Sequence, residues 1–415
     1  MSGTTALLVA DSEDPAPELE RVLRAEDIGL TKVSAAEFAD RPGRLDADVL
    51  LVSASLGLQR VALIAQRVAL AGASATLLVF PEGEDFRSLE ACARGGFDFV
   101  VPPYLPGLLR SRMTSCWERW QLTMTVEEMA AAASVREYER DLSIAREIQS
   151  GFLPQELPAA PGWEFASRFR PARQVAGDFY DGFELVNGRR LGFVVADVCD
   201  KGIGAALFMA LIRTLLRHTA EHTGTWSLMD AGTEESAVTA DTAVGAGAAL
   251  PPLLSLGAGP LIQAVLGTNR YMARNHLRQG YFATVFFGVL DPASGALLYI
   301  NGGHNPPVLV RADGGHELLT PTGPAVGMMP GSAFTLGHTS LQRGDTLFLY
   351  TDGVVEARDR AGALFGMDRM TAVAARGGTA AEQLLLEMED SLSGFVSGAE
   401  QSDDITMLAL HRRGR

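Results

Sequence analysis

Four acidic motifs in the second half of the chain place aspartates at the borders of apolar segments. The motifs are AGDFYD with Asp178, FVVAD with Asp197, FLYTDG with Asp352 and SDDITMLAL with Asp403. A carboxylate at the end of a strand is held in place yet reachable from solvent, as hard, oxygen-preferring cations require. A turn or a helix cap explains any one motif more simply. However, four carboxylates in one region would repel one another unless divalent cations neutralised them.

The stretch VCDKGIGAAL offers two other kinds of chemistry, and its residues argue against both. A catalytic cysteine needs a cation or a helix N-terminus to stabilise its thiolate, and Lys201 among aspartates does not supply that for Cys199. The glycines lack the Gly-Lys-Ser/Thr ending of a P-loop and the full GxGxxG fingerprint. We expect Cys199 to fill space, and Gly202 and Gly204 to allow a tight turn into a helix.

Two further residues could contact a substrate phosphate. Arg173 lies five residues before Asp178, where a guanidinium could bind phosphate in a bidentate manner, or could equally pair with a surface acid. His304 in NGGHNPP could be a general acid for the leaving group. A turn histidine bonded to the backbone is the alternative, because the surrounding Asn-Gly-Gly and Pro-Pro are turn signals.

The elements that must position these residues change along the chain. From PGWEFASRF onward the pattern is β-rich, with helices after residue 202 and near 260–277 and 379–394. A segment rich in Gly, Ala, Thr and Ser interrupts it, and we expect a flexible insertion at 224–258.

The first part of the chain has a different pattern. Short apolar runs such as ALLVAD and ADVLLVSAS alternate with helical segments, two of which end at glycines. Continuous apolar strands that alternate with helices indicate a parallel sheet covered on both faces. We therefore predict a doubly wound α/β domain over residues 1–115.

A helical segment joins the two regions. Residues 116–153 contain no Pro or Gly before Gly151 and are dense in Glu, Arg, Ala and Leu. Apolar and small residues recur there at alternating fours and threes, from Ala131 through Val135 and Tyr138 to Gln149 and Phe152. The pattern suits a single amphipathic helix or a two-stranded coiled coil that would make a homodimer.

Composition limits the classes of function. The chain has 415 residues, 47% of them hydrophobic and 20% charged, which is typical of a globular protein long enough for two domains. Its net charge of −15 argues against nucleic-acid and anionic-membrane partners. The 3 cysteines are far apart, and neither a signal peptide nor a membrane span is evident. We therefore predict a cytoplasmic protein.

The first region resembles a response-regulator receiver domain over roughly residues 4–115. Asp11, Glu13 and Asp14 stand where receivers keep an acidic metal-binding cluster. However, Ser53 replaces the phosphoacceptor aspartate at the end of the third strand, and Pro102 takes the usual lysine position. Serine cannot form the acyl phosphate and proline supplies no cation. The resemblance therefore implies a pseudo-receiver that binds an upstream signalling protein.

The second region is similar to metal-dependent type 2C (PPM) serine/threonine phosphatases, in particular to their bacterial SpoIIE-like branch. The motifs GDFYD, ADVCDKGIGAALFMA, FLYTDGVVEARDRAGALFG and DDIT occur in that family's order, and IAREIQSGFLPQELP resembles its lead-in. The resemblance covers about residues 140–412 and implies a phosphatase domain over 154–415. The implied fold is an α+β (αββα) sandwich, in which helices flank two packed antiparallel sheets.

The same resemblance implies a site for two divalent cations, Mn²⁺ or Mg²⁺, which would activate a water for attack on phosphorus. Carried over by position, the ligands are Asp197 as a bridge between both ions, the backbone carbonyl of Val198, Asp352 and Asp403 on one ion and Asp178 on the other side. Asp181 and Asp404 would be neighbouring supporting or structural residues.

The expected function is hydrolysis of phosphoserine or phosphothreonine on a regulatory protein, such as an anti-sigma antagonist in partner switching. The alternative is a catalytically silent scaffold that binds such a partner. A calcium sensor would need an EF-hand-like loop, which VCDKGIGAAL does not provide.

Overall fold

A computed structural model describes residues 4–11, 16–40, 47–70, 75–83, 90, 94, 97–229, 252–376 and 380–414. The chain divides into two compact units, Met1–Tyr138 and Glu139–Arg415. Glu13, Asp14 and most of the insertion predicted at 224–258 lie outside the described residues.

The first unit contains a five-stranded sheet with helices. Its strands are β1 (Thr5–Val9), β2 (Gly29–Val33), β3 (Val49–Ser53), β4 (Ala75–Val79) and β5 (Asp98–Val100). Its helices include α1 (Ala16–Ala25), α2 (Ala35–Asp40) and α3 (Leu58–Leu70). Neighbouring strands are parallel in the order β2-β1-β3-β4-β5, an order known from doubly wound folds. The predicted α/β architecture is confirmed.

Both faces of this sheet are covered because its strands are apolar on both sides. Leu8 and Leu51 pack with Leu19 of α1 on one face, whereas Val9 and Leu50 belong to a second core on the other. At the end of β3, Ser53 is completely buried and its hydroxyl lies 2.7 Å from that of Ser55.

A long helix, α4 (Pro106–Ser150), begins ten residues before the segment 116–153 predicted as a linker and ends three residues before that segment does. Large apolar side chains are exposed along it: Leu122, Val126, Met129, Val135, Tyr138, Ile144 and Ile148. Gln149, which the heptad pattern placed in the same seam, is instead buried. Its amide contacts the backbone of the second unit, as described below.

The second unit contains two five-stranded antiparallel sheets. One has the order β13-β10-β9-β8-β7 and the other β12-β11-β14-β15-β6. The strands are β6 (Trp163–Arg170), β7 (Phe179–Leu185), β8 (Arg190–Val198), β9 (Ala283–Leu290), β10 (Ala296–Gly302), β11 (Val308–Val310), β12 (His316–Leu318), β13 (Gly337–Ser340), β14 (Thr346–Tyr350) and β15 (Ile405–Arg412).

Helices cover the outer faces of both sheets. They are α5 (Ile203–Met229), α6 (Pro252–Asn275), α7 (Asp352–Val355), α8 (Gly366–Ala374) and α9 (Ala381–Val396). Both ends of the predicted insertion at 224–258 overlap helices, because α5 continues to Met229 and α6 starts at Pro252, and the residues between them lie outside the described ranges. A proline is favoured at the first helical position because it has no N–H to leave unpaired.

Strand alternation builds the layers of this unit. Phe193 of β8 packs with Leu347 and Leu349 of β14 in a core between the sheets. The alternate residues, such as Val194, pack outward against α5 and α6, and Phe348 packs outward against α8 and α9. The α+β class predicted for this region, with sheets and helices in one unit, is confirmed.

Within the described part of the chain, one helical stretch, Ile203–Thr223, passes a length-and-composition test for a membrane span, with a mean hydropathy of 1.2. Its inner face is part of the core beneath the first of the two antiparallel sheets, through Ala205, Met209, Ile212, Leu216 and Ala220. Of the window that passes this test, 33% is buried.

Candidate active site

Asp178 and Asp197 face each other at the end of the β7–β8 pair. Phe179 pairs with Ala196 in the antiparallel register, so the next pair outward places Asp178 opposite Asp197. Asp178 is only 2% exposed. Two carboxylates at paired strand positions disfavour each other's ionised form unless a cation lies between them.

Two threonines of the other sheet bind Asp178. The hydroxyls of Thr351 and Thr406 each donate a hydrogen bond of 2.7 Å to Asp178 Oδ2. The Thr406 backbone N–H in turn donates to Thr351 Oγ1 at 3.0 Å. Both threonines are fully buried. Asp178 is thereby fixed between the two sheets, at the position where β14 ends and β15 begins.

Asp352 and Asp403 come to the same place from the second sheet. Asp352 is the first residue of α7, directly after β14, and Asp403 precedes β15. Lys201 Nζ lies 2.8 Å from Asp403 Oδ2 and donates to the Ser402 carbonyl at 2.7 Å. Gly353 is required beside them, because a Cβ there would lie 2.0 Å from the Asp404 carbonyl oxygen.

The electrostatics show one interacting cluster. Burial, followed by the charges of Asp352 and Asp403, raises the pKa of Asp197 to about 7. Burial followed by the charge of Asp403 raises the pKa of Asp352 to about 6. The pKa of Asp178 lies well above its usual range because of burial and then the charges of Asp197 and Asp404. When ionised, these carboxyl groups carry more negative charge than the positively charged groups around them neutralise.

Asp404 and Gln149 hold the segment that leads to Asp178. The Asp404 carboxylate accepts hydrogen bonds from the N–H groups of Ala172 at 2.7 Å and Gly177 at 2.9 Å. The Gln149 amide donates to the Ala176 carbonyl at 2.7 Å and accepts from the Ala176 N–H at 3.0 Å. Asp404 therefore supports the site through the backbone, and the end of α4 does so as well.

Asp181 lies apart from this cluster. It is 1% exposed and pairs with Arg213 at 3.0 Å and Arg217 at 3.1 Å, both on α5. Burial raises the pKa of Asp181, and the two guanidinium groups lower it. Of the two roles expected for this residue, the structure supports the structural one, a link between β7 and α5.

The donor set fits a hard divalent cation. It consists of carboxylate oxygens, which such ions prefer, and the raised pKa values of Asp197 and Asp352 show charge that a cation would neutralise. A Cβ on Gly177 would lie 2.8 Å from the Val198 carbonyl oxygen, so the glycine leaves room beside that carbonyl. Among the residues that the structure describes, no three His, Cys, Asp or Glu side chains form a ready-made metal-holding group. A bound ion would therefore have to draw the carboxylates together.

The two candidate phosphate-binding residues have different placements. Arg173 is exposed, and its side chain has no hydrogen bond or ion pair with any described residue. His304 is 1% exposed. Its ring Nδ1 lies 2.9 Å from Thr284 Oγ1, and its backbone N–H donates to Asn301 Oδ1 at 2.8 Å. Burial lowers the pKa of His304 to about 4. The ring is enclosed, and its Nε2 has no hydrogen-bond partner among the described residues. This enclosure favours the structural alternative for His304 over a general acid open to solvent.

Cys199 and the turn after it match the interpretation of their motif. Burial raises the pKa of the Cys199 thiol, and the charges of Asp197 and Asp200 raise it further. The thiol is therefore protonated and a poor nucleophile. Gly202 has a φ of +89°, and a Cβ on Gly204 would meet the Tyr281 hydroxyl at 2.1 Å. Both glycines serve the tight entry into α5.

Sequence reasoning did not single out Thr351, Thr406 or the contact made by Gln149. The available signal was weak: Thr351 stands directly before Asp352, and Thr406 is a polar residue in an otherwise apolar strand. Gln149 sits among apolar seam positions, where an amide is out of place.

Comparison with known proteins agrees with this geometry. Residues 187–413, more than half of the chain, match the family model of Stage II sporulation protein E (SpoIIE). Protein IcfG of Synechocystis is 40% identical over 274 residues, which are 66% of this chain and 41% of IcfG. Phosphoserine phosphatase RsbU of Bacillus subtilis is 23% identical over 67% of this chain and 72% of RsbU. The chain thus spans less than half the length of IcfG.

The fold also has a solved counterpart. The SiaA-PP2C domain of Pseudomonas aeruginosa superposes with a TM-score of 0.53 and 20% identity, over 68% of this chain and 99% of that domain. At this identity the likeness concerns the fold alone. With the match over 187–413, the chain belongs to the SpoIIE family.

Proposed function

We propose that this chain is a metal-dependent phosphoprotein phosphatase that hydrolyses phosphoserine or phosphothreonine on a regulatory protein. The observation that carries the proposal is the interacting carboxylate cluster gathered from both sheets, in which the pKa of Asp197 reaches about 7. RsbU, a relative by sequence, is named a phosphoserine phosphatase.

Each carboxylate has a proposed role. Asp197 would bridge two divalent cations, Mn²⁺ or Mg²⁺, with the Val198 carbonyl as a further ligand. Asp352 and Asp403 would bind one ion, and Asp178 would act on the other side. Two such ions, when bound, lower the pKa of a bound water and neutralise charge on the phosphoryl oxygens.

The chain's own residues orient this centre. Thr351 and Thr406 both donate hydrogen bonds to Oδ2 of Asp178. The other oxygen, Oδ1, would therefore be the one to bind a metal ion. Lys201 holds Asp403 and brings a positive charge to the edge of the cluster. Arg173, exposed on the segment before Asp178, is the group that we propose to bind the substrate phosphate. His304 is left out because it is buried.

The proposal extends to the proteins that this chain binds. We propose an anti-sigma antagonist as the phosphoprotein, an upstream signalling protein at the first unit, and a homodimer formed through the exposed apolar residues of α4 in a cytoplasmic protein. The buried Ser53, in place of an acceptor aspartate, supports binding rather than phosphorylation at the first unit. Deleting residues 1–115 tests this regulation, since unchanged activity and oligomeric state would exclude it.

The rival is a catalytically silent scaffold. An unused cluster has no reason to keep buried, mutually repelling carboxylates, since they cost folding free energy. The decisive assay measures hydrolysis of p-nitrophenyl phosphate and of a phosphoserine peptide with Mn²⁺, Mg²⁺ or EDTA. We expect metal-dependent turnover that is lost in Asp197→Asn and Asp352→Asn. Activity that survives EDTA and both substitutions would refute the two-metal mechanism, and no turnover in any metal would favour the scaffold.

A further inference from the structure

A cleft of about 360 Å³ opens directly beside the carboxylate cluster. Asp403 and Gly353, which belong to the cluster's edge, are among its lining residues. Its apolar surface comes from Ala357, Val396 and Ile405. The volume lies within the range of ligand pockets, and its position means that a molecule bound at Asp403 extends into it.

Two arginines give the cleft its charge. Arg170 at the end of β6 and Arg358 after α7 both line it and both are exposed. The Arg170 guanidinium has no ion pair with a residue in the described ranges, and Arg358 makes one long bond of 3.4 Å to the Gly362 carbonyl. Of the lining acids, Asp403 is already paired with Lys201, so Glu400 alone opposes them. Two exposed arginines therefore face the cleft in a chain whose net charge is −15.

Hydrogen bonds hold the backbone of the loop that forms one wall of the cleft. Gln401 Nε2 donates to the Arg170 carbonyl at 2.8 Å and to the Asp403 carbonyl at 2.7 Å. Lys201 Nζ holds the Ser402 carbonyl at 2.7 Å. These bonds fix the loop between α9 and β15 against β6, so a ligand would not have to order it.

We propose that this cleft binds the segment of the phosphoprotein adjacent to the phosphorylated residue, and that it selects acidic side chains through Arg170 and Arg358. This inference rests on the proposed function and adds the class of substrate: a phosphoserine or phosphothreonine with carboxylates nearby in its chain. The apolar surface takes the aliphatic parts of that segment, and the arginines pair with its carboxylates.

The test measures binding without turnover. The probes are nine-residue fluorescent peptides that carry a non-hydrolysable phosphonate analogue of phosphoserine, flanked on each side by two glutamates or by two glutamines. Fluorescence anisotropy with the full chain and Mn²⁺ gives the two Kd values. We expect the glutamate peptide to bind about fivefold more tightly, the scale of a solvent-exposed ion pair. Arg170→Gln and Arg358→Gln should each reduce that preference.

Arg343→Gln is the matched control. Arg343 is an exposed arginine in the turn before β14, at the opposite end of the strand from Asp352, and its loss should leave the preference unchanged. Arg170→Glu should favour a lysine-flanked peptide over the glutamate peptide. Equal Kd values of both peptides for the wild type, or a preference that survives in both Gln variants, would overturn the proposal. Hydrolysis of p-nitrophenyl phosphate, which has no flanking chain, reports separately on the proposed function and should be unchanged in Arg343→Gln.

Discussion

The hydroxyl of Thr351 donates a hydrogen bond of 2.7 Å to Oδ2 of Asp178 and so joins the two sheets of the sandwich at the carboxylate cluster. The same oxygen of Thr351 accepts the Thr406 N–H at 3.0 Å. One buried side chain therefore controls the position of a proposed metal ligand and completes the pairing of β14 with β15.

Thr351→Val should destabilise the protein and weaken Mn²⁺ binding. Valine keeps the shape but leaves the Thr406 N–H without its acceptor and Asp178 without one donor, which costs about 1–3 kcal/mol. Urea unfolding in EDTA measures the free energy, and calorimetric titration measures Mn²⁺ affinity. Thr351→Ser retains the hydroxyl and should stay close to the wild type. Equal stability of the Val and Ser variants would show that the hydroxyl does not hold Asp178.

Gln149→Leu should lower activity while the fold of the second unit persists. The amide makes both of its hydrogen bonds to Ala176, two residues before Asp178, so its loss releases the segment that carries this aspartate. We expect at least a tenfold lower kcat for p-nitrophenyl phosphate, consistent with the sensitivity of catalysis to small misplacements. Ile148→Gln changes the exposed neighbour and serves as the control. A Gln149→Leu enzyme with the wild-type kcat would remove the positioning role.

Gly177→Ala should impair metal binding. The added Cβ would lie 2.8 Å from the Val198 carbonyl oxygen, a contact with backbone that cannot be relieved by a side-chain rotation. We expect weaker Mn²⁺ affinity in calorimetric titration. Gly394→Ala is the matched control, because nothing lies within 4 Å of its Cβ position on α9, and alanine there should stabilise the helix by up to about 1 kcal/mol. Equal Mn²⁺ affinities of the two variants would contradict this account of Val198.

The metal-free protein should lose stability as the pH rises through the range of the cluster. Folding raises the pKa of Asp197 to about 7 and that of Asp352 to about 6, above the value of about 3.9 for aspartate in an unfolded chain. The folded state therefore holds these protons more tightly. This contribution to the free energy of unfolding is fully present below about pH 4 and is lost as the pH passes about 7.

Thermal unfolding in EDTA between pH 5.5 and 8 measures this effect. The Tm of Asp197→Asn, which has no proton to lose there, should rise relative to that of the wild type by about 2 °C or more. Mn²⁺ should raise the Tm of the wild type more at pH 8 than at pH 5.5, because metal and protons compete for the same carboxylates. A Tm difference between variant and wild type that does not change with pH would contradict the assigned titration.

Much of the fold could be predicted because it depends on local patterns. Runs such as LGFVVADV alternate between two cores and are therefore apolar throughout, as a strand buried on both faces must be. The acidic motifs could be grouped for a similar reason, since three of the four adjoin a strongly apolar strand, at its end for Asp197 and Asp352 and at its start for Asp403. Asp197 and Asp352 do lie in one cluster.

What could not be predicted depends on contacts between distant segments. Asp181 belongs to the same motif as Asp178, yet strand alternation turns it toward Arg213 and Arg217 on α5. Gln149 matches a heptad seam in spacing, but its amide binds Ala176 instead. His304 stands in a turn-like sequence and is nevertheless buried. In each case the partner lies tens of residues away, and local sequence does not identify it.

Calorimetric titration of the metal-free chain with Mn²⁺ at pH 8 tests the central claim most directly. We predict that the wild type binds two ions per chain, and that Asp197→Asn, which removes the proposed bridging ligand, loses measurable binding of both. Asp390→Asn, an exposed aspartate on α9, should bind like the wild type. An Asp197→Asn chain that binds two Mn²⁺ ions with the wild-type affinity would contradict the account.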